Sequence, residues 1–221
     1  MGYYYRWGLV IGQPAFQSFL QSNYALGLSD LKLLNQKSPF PRSDFSCLLC
    51  GVGNAKTAQS FIEFVIKRNP KAHILIIDLA TEQIEAVQQL VQKSFSEYHI
   101  EVRQINALNL TSWLKPGSLD WIETDGFLEL FSPAQLTELL KIWYKLLKKD
   151  GFITIREPAS NSFLESILDM FRVWIGKWWL GITVYIYTLT YLKKLFAKSG
   201  FSFVTFPTKV PTFRRFTMVK K

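Results

Sequence analysis

The sequence predicts an α/β fold, a doubly wound and mostly parallel seven-stranded sheet with helices on both faces. From residue 46 onward, short apolar runs alternate with longer stretches of helical periodicity, the pattern of a parallel sheet with crossover helices. A loop too short for a crossover helix joins the last two runs, so those strands are expected to be antiparallel to each other. The 221 residues are 48% apolar and 19% charged, which excludes a disordered or fibrous chain.

The individual elements follow from apolar runs, helical spacing and turn residues. The predicted strands span residues 46–50, 73–77, 100–105, 119–124, 152–155, 201–206 and 213–219. The helix before the fifth strand has the clearest start, with Ser132 as cap, Pro133 at the first helical position and Gln135 completing a capping box. Its apolar face extends to Leu147, and Gly151 is expected to end it. A last helix is predicted over 188–199.

Two segments stand outside this alternation. Residues 1–45 contain two proline breaks and an aromatic start, so they are expected to form an arm or lid over a domain that spans 46–221. Residues 158–187 are too long for a simple connection and are predicted to be a binding insertion. The aromatic side chains of these two segments are the candidates for contacts with a substrate: Tyr5, Trp7, Trp174, Trp178 and Tyr185.

The net charge of +9 belongs to the C-terminal quarter of the chain. Residues 170–221 carry ten basic and no acidic residues, whereas residues 1–169 carry 16 basic and 17 acidic ones. That quarter is also rich in aromatic residues, which favours an anionic or apolar partner. The uncharged stretch at 178–192 is shorter than the ~20 residues that span a membrane, and the apolar run at 7–11 is too short for a signal peptide.

The only cysteines, Cys47 and Cys50, lie in the first predicted strand. Residues three apart in a strand point to opposite faces, so the two sulfur atoms diverge and core packing is favoured over a redox or zinc site. No metal site is predicted, because a second ligand pair is missing. A reducing, cytoplasmic location fits this cysteine usage.

The first strand leads into Gly51-Val52-Gly53, a turn that lets backbone amides approach a ligand at a helix N-terminus. A nicotinamide fingerprint would need a third glycine where Lys56 stands, and a Walker loop is also absent. The second strand ends in Asp78, whose carboxylate can accept two hydrogen bonds from a ribose.

Five segments, in order, resemble the motifs of the class I S-adenosylmethionine-dependent methyltransferases. They are the glycine loop (48–55), ILIIDLATEQIEAVQ (74–88), the fourth-strand motif (117–131), LLKKDGFITI (146–155) and TLTYLKKLFAKSGFSFV (188–204). The resemblance covers about residues 41–221. It implies the fold of that family, S-adenosyl-L-methionine as cofactor and methyl transfer as activity.

By position, the resemblance implies a set of cofactor contacts at strand ends. The glycine loop would pass under the methionine part, Asp78 would hold the ribose and Leu79 would pack on the adenine. Asn106 with Ala107 would bind the adenine edge. The full set is Cys50, Gly51, Val52, Gly53, Asp78, Leu79, Asn106, Ala107, Thr124 and Asp125, the last two bordering the sulfonium.

One departure concerns the cofactor's amino group. The family usually has an acidic residue two positions before the first glycine, where this chain has Leu49. Asp125 or Glu129 would then hold the ammonium, or the cofactor affinity is reduced. Glu129 stands where many family members have histidine, so it is also the first candidate for a catalytic base, and Asp125 is the second. The two histidines, His73 and His99, are expected at the opposite end of the sheet from the ligand.

The sequence leaves three alternatives for the function: a small-molecule methyltransferase, an RNA methyltransferase and a non-catalytic protein. Family habit favours a lid helix in the insertion, packed on its own domain; otherwise its aromatic residues form an apolar acceptor pocket or lie on a membrane surface. The prediction is methyl transfer to a small, apolar or aromatic acceptor by a cytoplasmic enzyme that is peripheral to a membrane if residues 170–221 contact one. An RNA methyltransferase is less favoured, because Thr124-Asp125-Gly126-Phe127 lacks the motif of base-amino methylating members. The third reading is a non-catalytic protein that keeps the fold.

Overall fold

A computed structural model describes residues 12–175, 177–178 and 183–221. In this part of the chain seven strands form one sheet: β1 (Ser46–Cys50), β2 (His73–Asp78), β3 (Ile100–Gln104), β4 (Leu119–Asp125), β5 (Leu147–Pro158), β6 (Phe201–Pro207) and β7 (Phe213–Lys220). The helices are α1 (Pro14–Asp30), α2 (Ala55–Ile66), α3 (Thr81–Ser94), α4 (Pro133–Leu146), α5 (Phe163–Ile175) and α6 (Leu189–Lys198).

The strand order is β3-β2-β1-β4-β5-β7-β6. Strands β1 to β5 pair in parallel, and β7 pairs antiparallel with both β5 and β6. The predicted fold class and the antiparallel last pair are confirmed. Because the chain order reverses between β1 and β4, the carboxyl ends of these two strands form the crevice where open α/β sheets bind ligands.

The start of β5 differs from the sequence prediction. Helix α4 ends at Leu146, while Leu147 already pairs with Leu119 and the register shifts before Trp121 pairs with Phe152. Gly151 therefore lies inside the strand and does not end the helix. A Cβ on Gly151 would lie 2.9 Å from the carbonyl oxygen of Leu119, so close approach of two backbones is the reason for glycine here.

Two apolar clusters cover the two faces of the sheet. Trp121 lies in the cluster beneath α1 and α2, and Trp143 lies in the opposite one with α4 and α6. Both tryptophan side chains are fully buried. Cys47 belongs to the first cluster and Cys50 to the second, so the predicted divergence of the two sulfur atoms is confirmed.

Helix α1 packs directly on the sheet. Leu20 and Tyr24 of α1 are each 2% exposed, and Gly27 lies so close to Thr154 that a Cβ would meet its methyl carbon at 2.6 Å. In the described part of the arm, residues 12–45 therefore contribute to the core. Residues 1–11, with Tyr5 and Trp7, lie outside the described residues. Within the described segments, the helices are all too short or too polar to cross a bilayer.

Candidate cofactor and acceptor site

The glycine loop joins β1 to α2 at the predicted crevice. Gly51 has a φ of +79°, a conformation that favours glycine, and a Cβ there would meet the ring of Phe127 at 2.7 Å. Asn54 caps α2 by accepting a hydrogen bond from the backbone N–H of Thr57 at 2.9 Å. Val52 is buried and Gly53 half-buried. The loop thus brings backbone close to a ligand at a helix N-terminus.

Asp78 organises the two loops that follow β1 and β2. Its Oδ2 accepts a hydrogen bond from the backbone N–H of Val52 at 2.7 Å, and its Oδ1 accepts one from Ala80 at 2.8 Å. The Asp78 carboxylate thus ties the glycine loop to the end of β2, where the resemblance places the ribose. Leu79 is 63% exposed, and its carbonyl oxygen accepts a bond from Gln104. These positions fit the ribose and adenine roles.

The third strand ends in a capped turn. Asn106 Oδ1 accepts a hydrogen bond from the backbone N–H of Leu108 at 2.9 Å, at the start of a 3-10 turn over Ala107–Ser112. The side chain of Ala107 is buried. The Asn106 side chain is thus held in place by this cap, and its amide and the backbone of Ala107 are the groups that the resemblance assigns to the adenine edge.

Thr124 and Cys50 form the floor of the crevice. Thr124 is fully buried and donates a hydrogen bond from its hydroxyl to the carbonyl oxygen of Cys50 at 2.8 Å. Burial also raises the pKa of the Cys50 thiol. The Thr124 hydroxyl therefore joins β4 to the end of β1, and the Cys50 thiol packs in the core. Asp125, whose side chain is 26% exposed, is the least buried residue of β4.

Behind Asp125 lies a buried cluster that the sequence analysis did not assemble. Arg156 is 1% exposed; its Nη2 lies 2.7 Å from Glu123 Oε1 and its Nε 3.3 Å from Asp125 Oδ2. The guanidinium carbon lies 5.0 Å from the ring centre of Tyr24. Thr154 donates a hydrogen bond to Glu123. The available signal was a charged residue inside each of two central strands, which parallel sheets bury on both faces.

The pKa of Glu123 is raised from 4.5 to about 7, mainly by burial, with Arg156 opposing the rise. Unfolded protein loses this proton near pH 4.5 and folded protein near pH 7, so this group makes the free energy of unfolding fall as the pH rises between those values. We expect Glu123→Gln to reduce that fall by about 2–3 kcal/mol. Urea denaturation of both proteins at pH 5 and pH 7.5 measures the decrease in the free energy of unfolding between these pH values. An equal decrease in the parent and in the variant would contradict this prediction.

Glu129 lies in a second charged cluster, on the 3-10 turn Leu128–Leu130 after β4. It forms an ion pair with Arg172 of α5, and Arg172 also lies 3.5 Å from Asp169. Burial raises the pKa of Glu129, while Arg172 opposes the rise. The turn itself is held by Glu157, whose Oε1 accepts backbone hydrogen bonds from Phe127 at 2.5 Å and Leu128 at 2.7 Å.

The predicted aromatic substrate contacts separate into two groups. Tyr185 donates its backbone N–H to the carbonyl oxygen of Glu129 at 2.7 Å and is 36% exposed, so it lies beside the charged cluster. Trp174 and Trp178 are 59% and 77% exposed on or just after α5. A lid helix packed through its apolar side is therefore wrong for α5, because Asp169 is the buried residue of this helix. His73 and His99 are exposed and stack at the amino ends of their strands, as expected.

The fold is that of the class I methyltransferases. Residues 47–151, just under half of the chain, match the family model described as a methyltransferase domain. The chain therefore contains a class I S-adenosylmethionine-dependent methyltransferase domain, as its motifs predict, and S-adenosylmethionine is the cofactor. The sequence has no significant match among curated proteins.

Solved structures show the same fold at low sequence identity. Magnesium protoporphyrin IX methyltransferase from Synechocystis PCC 6803, solved with bound SAH, is 13% identical, with a TM-score of 0.65 over 98% of this chain and 93% of that one. YcgJ from Bacillus subtilis is 17% identical, with a TM-score of 0.61 over 83% and 71%. An O-methyltransferase family protein from Burkholderia thailandensis is 13% identical, with a TM-score of 0.64 over 90% of this chain and 58% of its own length.

Proposed function

We propose that the chain transfers the methyl group of S-adenosylmethionine to a small, apolar or aromatic acceptor that binds next to Glu129. The observation that carries this proposal is the contact between Phe127 and Gly51, because it brings the turn that bears Glu129 against the glycine loop. Tyr185 borders the same turn, and Phe131 packs on Phe127 with ring centres 5.0 Å apart. An aromatic acceptor fits such surroundings.

In this proposal Glu129 removes the acceptor's proton. When bound, S-adenosylmethionine would supply a methyl group activated by its sulfonium for direct transfer to a nucleophilic atom of the acceptor. The acceptor's O–H or N–H proton passes to the carboxylate of Glu129. To accept it, Glu129 leaves its ion pair with Arg172 and contacts the acceptor instead. Burial raises the pKa of Glu129, which makes its carboxylate a stronger base than an exposed one.

Asp125 takes the place of the missing acidic residue at Leu49. Leu49 is buried, and its register partner on β4, Glu123, is also buried and is paired with Arg156. Asp125 lies two residues further along β4, on the same face, with its side chain partly exposed. We therefore assign Asp125 to the ammonium group of the cofactor, at the open end of the crevice.

The test is a Glu129→Gln variant assayed for S-adenosylhomocysteine formation with a panel of phenols, aromatic acids and aromatic amines. We expect the parent to turn over at least one of them, and the variant to lose about 100-fold or more in kcat, the range of general-base catalysis. Affinity for S-adenosylhomocysteine should stay unchanged, since Glu129 is not assigned to the cofactor. Glu138→Gln, on the exposed side of α4, serves as the matched control.

Two outcomes would count against this proposal. Equal turnover by Glu129→Gln and the parent would exclude Glu129 as the base. Binding of the cofactor product without turnover on any acceptor would favour the non-catalytic reading. RNA is the less favoured acceptor, because Arg172 and Arg215 of the basic quarter are engaged by Glu129 and Asp30. RNA binding that weakens steeply with salt would reverse that order.

A further inference from the structure

Helix α5 presents its apolar side to solvent and its polar side to the domain. Asp169 is 1% exposed, and Arg172 reaches inward to Glu129. Most apolar residues of the helix, and Trp178 beyond its end, are exposed by 47–80%, whereas Val173 and Ile175 are half-buried. The exposed residues are Phe163, Leu164, Ile167, Leu168, Met170, Phe171, Trp174 and Trp178. This arrangement is the reverse of a helix that packs on its own core.

The exposed residues form one continuous stripe, here called the apolar stripe. Residues 163, 167, 171, 174 and 178 are three or four positions apart and share one side of a helix. The rings of Phe171 and Trp174 stack with centres 5.9 Å apart, and Trp174 and Trp178 do the same. Contiguous exposed apolar surface on a soluble protein is typical of an interaction site.

The polar contacts of α5 fix the stripe outward. Arg172 pairs with Glu129, Asp169 is buried, and Glu165 accepts a hydrogen bond from the backbone N–H of Asn161 at 2.5 Å. A rotation of the helix that buried the stripe would break the ion pair between Arg172 and Glu129. It would also expose Phe213, whose ring centre lies 6.0 Å from the guanidinium carbon of Arg172. The exposed stripe is thus the state that these contacts stabilise.

Lys177 lies between Trp174 and Trp178 of the stripe, and the C-terminal quarter of the chain carries only basic charges. Lys177, Lys193, Lys194 and Lys209 are exposed, and among the described residues they form no ion pair within 4.0 Å. After Asp169 the sequence has no carboxylate side chain that could neutralise them locally. An apolar stripe that includes the exposed Lys177, in a part of the chain without carboxylate side chains, matches the two components of an anionic bilayer surface, its acyl chains and its headgroup phosphates.

We propose that α5 docks this protein on an anionic phospholipid membrane, with the helix in the plane of the interface and the apolar stripe inserted among the acyl chains. A second copy of the chain fits this surface less well, because two copies would bring like charges together. A 13-residue helix is ~20 Å long, so its face offers a few hundred Å², roughly half of the ~800 Å² per partner of a stable interface.

Vesicle flotation tests the proposal with the whole chain. We expect the parent to float with vesicles of phosphatidylcholine and 30% phosphatidylglycerol, and to float less with phosphatidylcholine alone or at high salt. Phe171→Ser/Trp174→Ser should lower the partition coefficient at least about 10-fold, since both rings leave the bilayer. Lys193→Glu/Lys194→Glu should lower it on anionic vesicles more than on neutral ones.

The matched control is Leu33→Ser/Trp113→Ser, which removes two exposed apolar side chains from other parts of the surface. It should float like the parent. Equal flotation of parent and stripe variant, or no flotation of the parent, would overturn the proposal. So would a parent dimer that the stripe variant converts to monomer in solution. Because S-adenosylhomocysteine affinity of the stripe variant is measured separately, failure of membrane binding is distinguishable from failure of the methyltransferase assignment.

Discussion

Replacing Asp78 with alanine should weaken the binding of S-adenosylhomocysteine by at least about 100-fold, or ~2.8 kcal/mol. Two ribose hydroxyls lose a charged acceptor, and hydrogen bonds to charged groups contribute roughly 1.5–3 kcal/mol each. The substitution also removes the acceptor for the backbone N–H groups of Val52 and Ala80, so the glycine loop loses its anchor to β2. Isothermal titration calorimetry of parent and variant measures the effect directly.

The control for this experiment is Asp150→Ala, which removes an exposed carboxylate paired with Arg42 near the amino end of β5. That variant should bind like the parent. Circular dichroism establishes that Asp78→Ala is folded at the titration temperature. A folded Asp78→Ala protein with parental affinity would show that the crevice beside β2 does not hold the ribose, and the cofactor assignment would have to move elsewhere.

Arg156→Met should destabilise the protein by about 3–5 kcal/mol at pH 8, the cost of leaving a buried charge without its partner. Glu123 is fully buried and would face Thr154 and an apolar side chain in place of the guanidinium. The loss should shrink below pH 6, because Glu123 then takes up a proton and the uncompensated charge disappears. Urea denaturation at both pH values gives the two free energies of unfolding.

Two further variants identify the cause of that loss. Arg156→Met/Glu123→Gln should regain a large part of the stability at pH 8, since both charges are removed together. Arg103→Met removes an exposed partner of Glu101 and should cost about 1 kcal/mol or less. A double variant no more stable than Arg156→Met alone would show that the packing of Arg156 against Tyr24, and not the charge of Glu123, is what the protein loses.

The sheet could be predicted from the sequence because its signals are local. Each strand is an apolar run, and the capping box of Ser132 and Gln135 marks the start of α4 as the structure has it. The start of β5 was not predictable in the same way. Leu147 continues the helical spacing of α4, and only the pairing partner Leu119 on β4 assigns it to a strand. Tertiary pairing overrides local periodicity there.

In the candidate site too, some residues have a local sequence signal and others depend on residues far away in the chain. Asp78 and Gly51 could be predicted because the end of an apolar run and a glycine turn are both visible in the local sequence. The hydrogen bond of the buried Thr124 to Cys50 and the pairing of Glu129 with Arg172 depend on residues 74 and 43 positions away, so local spacing could not predict them. Helical spacing also predicted the amphipathic character of α5, but which side faces the domain was decided by Glu129, a residue of another element.

Helix α1 and strand β7 lie at opposite ends of the described chain, and their contact bears on how the protein is made. Asp30 accepts hydrogen bonds from Arg215, 185 residues later, and from Thr217, at 2.8 to 3.1 Å in a buried position. During synthesis the carboxylate of Asp30 has no such partner until Arg215 and Thr217 have been translated. We therefore expect the contact of α1 with β7 to form late in folding, because it closes the longest loop in the molecule's described part, whereas the contacts of α1 with α2 can form earlier.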